Sequence, residues 1–153
     1  MIIAIGGGEV YYGETYDIDQ FIVEASNKSN PNFLFIPTAS GDEPSYVEVI
    51  SNLYEELGCS VDSLLLCEGN TTSEEAKSKI EWADIIYVGG GSTELMMDVW
   101  RYYLVDQYLM NAYKDNKVLS GLSAGSICWF IGGNGDSEFI DGVETPSKEW
   151  VMG

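Results

Sequence analysis

A serine flanked by glycines is the residue of this sequence best suited to covalent chemistry. The pattern is Gly121-x-Ser123-x-Gly125, which follows a run of apolar residues and precedes a stretch of helical character. Glycines on both sides permit a tight turn between strand and helix, from which the serine hydroxyl projects. The motif predicts a nucleophile for acyl transfer, although a purely structural turn explains such a motif about equally well in a glycine-rich chain.

A second glycine-rich loop contains backbone N–H groups that could stabilise the oxyanion formed when such a nucleophile attacks. Gly89, Gly90 and Gly91 follow another apolar run and precede Ser92 and Thr93. Without side chains, their N–H groups can approach a reacting carbonyl oxygen, so the two loops together predict an oxyanion hole. The alternative is a close strand-to-helix turn capped by Ser92 or Thr93, and we expect that capping role in either case.

The usual base for such a nucleophile is missing, because the sequence contains no histidine. Serine and cysteine hydrolases commonly use an imidazole to accept the proton of the nucleophile, since its pKa lies near neutrality. Any hydrolase interpretation of these 153 residues must account for that gap.

Nothing in the sequence indicates a cofactor or a metal. The glycines at 6–8 are followed by Glu9 and do not complete a dinucleotide-binding or phosphate-binding motif, so a tight turn is the better interpretation. Cys59, Cys67 and Cys128 include no Cys-x-x-Cys pair, which argues against a zinc site or a disulfide scaffold. We expect no cofactor, no metal and three buried thiols.

The charge of the chain excludes several kinds of partner. There are 7 Lys and Arg against 25 Asp and Glu, for a formal net charge of −18. Such a charge repels phosphate backbones and anionic lipid surfaces. No apolar run approaches the roughly 20 residues of a membrane span, and the N-terminus lacks the basic start of a signal peptide. We therefore expect a cytoplasmic protein that binds neither nucleic acid nor membrane.

The elements that would position these loops follow an alternating pattern. Short apolar runs alternate with longer segments of helical period, which predicts an α/β fold, a mostly parallel sheet with helices on both faces. The predicted strands are 2–5, 33–37, 61–66, 84–88 and 118–122. A helix is expected over 16–27, and Thr72 with Glu75 has the spacing of a capping box. No repeat or linker divides the chain, which predicts a single domain over residues 1–153.

The predicted sheet brings the two loops together. Ligands bind beyond the carboxyl ends of the strands in an open parallel sheet. The loops after the first, second, fourth and fifth predicted strands, all rich in small residues, should therefore line one edge.

Three segments carry a resemblance to a known family. Residues 36–40, 89–93 and 121–129 contain Ile-Pro-Thr-Ala-Ser, Gly-Gly-Gly-Ser-Thr and Gly-Leu-Ser-Ala-Gly-Ser-Ile-Cys-Trp. Found in this order, they resemble the peptidase E (aspartyl dipeptidase) and cyanophycinase family of serine peptidases, over essentially the whole chain up to residue 137. The resemblance implies a flavodoxin-like sheet related to the class I glutamine amidotransferases.

The resemblance also implies roles for individual residues. Ser123 would be the nucleophile, and the backbone N–H groups of Gly91 and Ala124 would form the oxyanion hole. Asp136, downstream of the serine, matches an aspartate near the active site of the family. The residues assigned to substrate binding are Gly90, Ser92 and Thr93.

The departure from the family pattern matters as much as the match. In the family a catalytic histidine lies downstream of this aspartate, and the chain stops before reaching it. We therefore expect the C-terminal part of the fold to be missing and the chain to be nearly inactive. An uncovered edge also predicts self-association as a homo-oligomer.

Two functions remain open at this point. The first is a serine peptidase that hydrolyses short peptides through an acyl-enzyme on Ser123. The alternative is a non-catalytic protein with an amidotransferase-like fold that binds a small ligand or a partner at the glycine-rich edge.

Overall fold

The fold is an open parallel sheet, seen in a computed structural model that describes residues 1–131. All of its paired strands are parallel, in the order β1-β5-β4-β2-β3. The strands are β1 (Ile2–Ile5), β2 (Asn32–Ile36), β3 (Ser60–Ser63), β4 (Ile85–Val88) and β5 (Val118–Leu122). Read from β3, the order β3-β2-β4-β5 is that of the first four strands of a flavodoxin-like sheet, with β1 at the far edge.

Helices cover both faces of the sheet. They are α1 (Tyr16–Ala25), α2 (Pro44–Glu56), α3 (Ser73–Trp82), α4 (Thr93–Tyr103), α5 (Val105–Lys114) and α6 (Ala124–Ile127), with 3-10 turns at Val10–Tyr12 and Thr38–Ser40. Buried residues of α1 and α2 belong to one core, and those of α3, α4 and α5 belong to the other. The predicted α/β class is confirmed.

Alternation along the central strands explains why there are two cores. In β2, Phe33 and Phe35 face the α1–α2 side, whereas Leu34 and Ile36 face the opposite side. The α1–α2 core is rich in aromatic rings, with Phe33 stacked on Tyr54 at a centroid separation of 3.6 Å. Because every residue of β4 and β5 is buried, the sheet positions the loops that follow them rigidly.

The helix boundaries follow local signals. Thr72 and Glu75 form the predicted capping box at the start of α3. The Ser92 side chain accepts a hydrogen bond from the Leu95 N–H at 3.2 Å and caps α4, as expected. Helix α1 ends before residue 27 because Asn27 adopts a left-handed φ of 54°.

The second strand ends before the proline that the prediction included. β2 covers Asn32–Ile36 rather than 33–37. Pro37 has no N–H to offer a neighbouring strand, and it leads directly into the 3-10 turn at Thr38–Ser40.

The third strand is shorter than predicted. It covers Ser60–Ser63 rather than 61–66. Its neighbour β2 ends at Ile36, so the Leu64 N–H still reaches the Phe35 carbonyl, at 2.8 Å, and the residues beyond it have no strand to pair with.

The apolar residues that recur at helical spacing over 95–104 form one helix, α4, which ends at Tyr103 with Leu104 as its C-cap. Leu104 adopts a left-handed φ of 62° and separates α4 from α5. The turn lets α5 pack against both α3 and α4.

One of the three thiols differs from the prediction. Cys59 and Cys128 are buried, but Cys67 is exposed because it lies in the loop that follows β3. Partial burial and the nearby Asp42 carboxylate raise the pKa of the Cys67 thiol to about 11, so it stays protonated. Over residues 1–131, no group of side chains suited to holding a metal ion is found, and no helix is long and apolar enough to cross a membrane.

Candidate active site

A cleft of about 470 Å³ lies at the carboxyl edge of the sheet, and Ser123 forms part of its wall. Residues 7–11 line it from the loop after β1, and Gly90 lines it from the loop after β4. Glu43 and Tyr46, from the start of α2, complete the opposite wall. The edge predicted from the strand pattern is therefore the edge at which this cleft forms.

Ser123 occupies a strained turn between β5 and α6. Its backbone has φ 53° and ψ −117°, a conformation that residues other than glycine rarely adopt and that costs of order 1–3 kcal/mol. The Ser123 N–H donates to the Ile5 carbonyl at 2.9 Å, which ties the turn to β1. The side chain is exposed, and its hydroxyl has no hydrogen-bond partner within residues 1–131.

The two glycines of the motif are required by contact between backbones. A Cβ at Gly121 would lie 2.1 Å from the Gly125 carbonyl oxygen, and a Cβ at Gly125 would lie 2.1 Å from the Val88 carbonyl oxygen. Both separations are far below van der Waals contact. The glycines allow α6 to begin directly against β4 and β5, which leaves Ser123 at the end of the strand.

The triple-glycine loop packs between Ser123 and the loop after β2. A Cβ at Gly91, where φ is +140°, would lie 2.2 Å from the Ala39 carbonyl oxygen. On the other side, a Cβ at Gly90 would lie 3.4 Å from the Ser123 Cβ. The three segments that carried the sequence resemblance therefore meet in space.

The backbone amides around the serine differ in whether they donate a hydrogen bond to another described residue. The Gly90 N–H donates to the Tyr46 hydroxyl at 3.3 Å. The N–H groups of Gly91 and Ala124 meet no acceptor among the described residues. These two amides are the ones assigned to the oxyanion hole, and that role stays a prediction.

The remaining predicted site residues lie apart from the cleft wall. Ser92 caps α4 and Thr93 is buried in its first turn, and neither lines the cleft around Ser123. Their assignment to substrate binding stays a prediction. Asp136 lies outside the described residues.

Two neighbouring groups are held in other roles. The Ser126 hydroxyl donates to the Ser123 carbonyl at 2.6 Å, as a helix residue one turn on. The Cys128 thiol is directed at the Gly125 carbonyl at 3.1 Å, and burial raises its pKa well above the usual range. Neither residue occupies the strained turn or lines the cleft, as Ser123 does.

Tyr46 is a residue of the cleft that the sequence analysis did not single out. Burial raises the pKa of its hydroxyl, the hydrogen bond from the Gly90 N–H offsets this in part, and the charges of Asp19 and Glu9 add to the rise. Only its position in the sequence could have indicated it, because Tyr46 lies in the first turn of the helix that follows the loop after β2, at the carboxyl edge of the sheet.

Charge in the cleft is of one sign. Among residues 1–131, Glu9 and Glu43 are its charged lining residues, and no lysine or arginine of that part of the chain lines it. Arg101, the single arginine, lines a separate cavity of about 260 Å³ that shares no residue with this cleft.

Comparison with curated proteins finds two relatives that are named as peptidases. "Uncharacterized peptidase YgaJ" of Bacillus subtilis (strain 168) is 36% identical over 137 residues, which cover 89% of this chain and 59% of the relative. "Uncharacterized peptidase PM1590" of Pasteurella multocida (strain Pm70) is 30% identical over 111 residues, covering 71% of this chain and 53% of the relative. The chain thus spans between half and two thirds of the length of these proteins.

Comparison with solved structures finds the same fold. A putative peptidase E protein from Listeria monocytogenes EGD-e superposes with a TM-score of 0.65 at 23% identity, covering 82% of this chain and 59% of that one. A peptidase from an acI-B1 Actinobacterium superposes with a TM-score of 0.67 at 23% identity, covering 87% and 57%.

The resemblance noted in the sequence is confirmed by a family comparison. The matching family is described as Peptidase family S51, and the match runs over residues 2–149. It includes the loop after β2, the triple glycine and the Ser123 turn in one alignment. Because the match covers nearly the whole sequence, this chain belongs to peptidase family S51.

Proposed function

We propose that this chain carries the nucleophile and the oxyanion hole of a serine peptidase that acts on short peptides. The single observation that carries the proposal is Ser123 itself, exposed in a cleft on a strained turn with its hydroxyl unengaged by residues 1–131. Strain of this kind persists where the surrounding structure enforces it, which is common at active sites.

The chemistry is acyl transfer in two steps. The Ser123 oxygen forms a bond to the peptide carbonyl carbon, the carbonyl oxygen becomes an oxyanion, and the hydroxyl proton passes to a base. The C–N bond then breaks, the amine leaves with a proton, and the acyl group remains on Ser123 until water removes it.

The oxyanion needs donors that are already in place. The N–H groups of Gly91 and Ala124 meet no acceptor among residues 1–131. Ala124 directly follows Ser123 as the first residue of α6, and Gly91 belongs to the triple-glycine loop, whose Gly90 lies beside Ser123. In serine peptidases, each donor of this kind lowers the activation barrier by about 2.7–4 kcal/mol.

The base is not among these 153 residues if it is a histidine. Within the described cleft, Tyr46 is a poor substitute because burial raises its pKa. With the nucleophile and oxyanion hole but no base, we expect only the residual rate enhancement of about 10³–10⁴ over water that incomplete sites retain. The proposed part for Asp136 is to orient that base.

The cleft limits the substrates that we propose. Its volume of about 470 Å³ suits a short peptide rather than a folded protein loop. Glu9 and Glu43 offer no cation for an acidic side chain, and Arg101 lines another cavity. We therefore assign no aspartyl specificity to the described cleft.

The alternative is a non-catalytic ligand-binding site at the same edge. The observation that favours it is the lack of histidine in the chain. Such a protein would use the free amides to hold a carboxylate or carbonyl oxygen without covalent chemistry.

Labelling with a fluorophosphonate in the presence of imidazole separates the two. Imidazole supplied in solution replaces the missing base, so we expect labelling near background without it and specific labelling with it. Mass spectrometry of the intact chain and of its peptides locates the adduct. Ser123→Ala should abolish labelling, while the matched Ser126→Ala variant should retain it. Absence of imidazole-dependent labelling, or persistence of labelling in Ser123→Ala, would support the binding alternative.

A further inference from the structure

Tyr46 connects the wall of the cleft to the triple-glycine loop. Its ring packs edge-on against Phe35, with centroids 5.1 Å apart and planes at 74°. A Cβ at Gly89 would lie 2.9 Å from the Tyr46 ring and 3.0 Å from the Phe35 ring, so the loop lies directly on these two side chains. From this position the Tyr46 hydroxyl accepts the Gly90 N–H at 3.3 Å.

The hydrogen bonds along this loop leave one amide free. The Gly89 N–H donates to the Ile36 carbonyl at 3.1 Å, and the Ser92 N–H donates to the Ala39 carbonyl at 2.7 Å. The Gly90 N–H donates to Tyr46. Among residues 89–92, only the Gly91 N–H finds no acceptor within the described part of the chain.

Without Tyr46 the loop would present two adjacent free amides. Gly90 lies close to the serine, because a Cβ at Gly90 would be 3.4 Å from the Ser123 Cβ. Its N–H would therefore compete with that of Gly91 for a developing oxyanion. The hydrogen bond to Tyr46 withdraws the Gly90 N–H from that competition and fixes the orientation of this part of the loop before an oxyanion forms.

The chemical state of the hydroxyl suits an acceptor role. Burial raises the pKa of Tyr46, so its oxygen is an un-ionised hydroxyl at neutral pH and accepts one hydrogen bond from Gly90. Phenylalanine at this position would keep the ring contacts and remove only this acceptor.

We propose that Tyr46 is a positioning residue of the acyl-transfer site: by holding the Gly90 N–H, it selects the Gly91 N–H as the donor from this loop that meets the oxyanion. The inference rests on the proposed function of Ser123. It assigns to α2 a part in a site otherwise built from the loops after β4 and β5.

The first test is spectroscopic and does not depend on catalysis. In ¹⁵N–¹H spectra of the 153-residue chain, Tyr46→Phe should move the Gly90 amide proton upfield more than any other amide of the loop. The matched control is Tyr12→Phe, since Tyr12 is 82% exposed and does not line the cleft. A Gly90 resonance that stays in place in Tyr46→Phe, in a chain that otherwise keeps the native spectrum, would overturn the inference.

The second test compares a ligand that forms an oxyanion-like adduct with one that does not. A short peptidyl boronic acid forms a tetrahedral anionic adduct on a serine oxygen, whereas the corresponding peptide amide binds without covalent change. We expect Tyr46→Phe to weaken the boronate by about tenfold, or about 1.4 kcal/mol, and to leave the amide affinity unchanged. Tyr12→Phe should change neither affinity.

The outcomes separate this inference from the function on which it rests. If Ser123→Ala does not weaken the boronate, the serine proposal fails and this inference fails with it. If Ser123→Ala weakens the boronate but Tyr46→Phe does not, the serine proposal stands and the role of Tyr46 is wrong. An equal loss for both ligands in Tyr46→Phe would show a general effect on the cleft and would also contradict the role proposed.

Discussion

The loops after β1 and β4 both begin with three glycines, but they depend on glycine to different degrees. A Cβ at Gly6 or Gly7 would meet nothing within 4 Å. In the loop after β4, a Cβ would lie 2.9 Å from a ring at Gly89 and 2.2 Å from a backbone oxygen at Gly91. The same three letters thus form a turn whose first two glycines have open space in one place, and a tightly packed support in the other. In the first loop only Gly8, with φ +131°, has a conformation that favours glycine.

The loop after β1 is instead held by buried side chains. Thr15, whose methyl carbon would lie 2.9 Å from a Cβ at Gly8, donates a hydrogen bond to the Asp19 carboxylate at 2.8 Å. The Tyr54 hydroxyl donates to the other oxygen of Asp19 at 2.7 Å. Asp19 is fully buried, and this network links the loop to α1 and α2. One loop is therefore fixed by backbone contact, and the other by a carboxylate and its donors.

The largest effect should come from Gly91→Ala. The added methyl group would overlap the Ala39 carbonyl oxygen, and φ at this position is +140°. We expect the free energy of unfolding to fall by about 3 kcal/mol or more, measured by urea denaturation. A loss below about 1 kcal/mol would show that the loop after β4 can move away, and the contrast between the two loops would be wrong.

Asp19→Ala should have the next largest effect, because it would leave the buried Thr15 and Tyr54 hydroxyls without their acceptor. We expect a loss of about 2–3 kcal/mol in the free energy of unfolding. The matched control is Asp17→Ala, an exposed aspartate of the same helix, which should change stability by no more than about 0.5 kcal/mol. Equal effects in the two variants would contradict a structural role for the network.

The pH dependence of stability should reveal Asp19 directly. Burial raises its pKa above the usual 3.8, and the hydrogen bonds from Tyr54 and Thr15 offset this in part. A raised folded pKa favours the protonated form, so the contribution is complete below pH 3.8 and declines as pH rises through the folded pKa. The stability of the wild type relative to Asp19→Asn should therefore increase as pH falls from neutral towards 4. A difference that is constant with pH, or that shrinks on acidification, would show that the folded pKa is not raised.

The smallest effect should come from Gly7→Ala. The methyl group has open space, and φ at this position lies outside the left-handed region. Alanine also restricts the unfolded chain, so we expect stability to rise by about 0.4–1 kcal/mol. Denaturation of this variant beside Gly91→Ala tests the comparison within one experiment, and a marked loss in Gly7→Ala would show a contact that the geometry lacks.

Local patterns in the sequence predicted much of the fold. The nearly continuous apolar runs of β2 and β4, the Thr72–Glu75 capping box and the glycine-rich strand ends all depend on residues a few positions apart. The apolar runs are a reliable signal here because strands that are covered on both faces of a parallel sheet are apolar along their whole length. They predicted the carboxyl edge as the location of the Ser123 turn.

Long-range contacts could not be predicted in this way. The strand order depends on which edges pair, and the difference between the two glycine triplets depends on what packs above each. Tyr46 has no motif, and its hydrogen bond to Gly90 spans 44 positions in the chain. The left-handed φ of Leu104, which separates α4 from α5, occurs without the glycine that commonly marks such a turn.

The contact between Gly91 and Ala39 has a consequence for how this protein can vary. The loop after β2 supports the loop after β4 through main-chain atoms, and the latter lies against Ser123. A substitution at 38–40 that shifts the main chain can therefore displace the loop after β4, and with it the surroundings of Ser123, without contacting the serine. Sequence drift in this region is then constrained by backbone shape in addition to side-chain contacts such as the one between the Thr38 hydroxyl and Trp100.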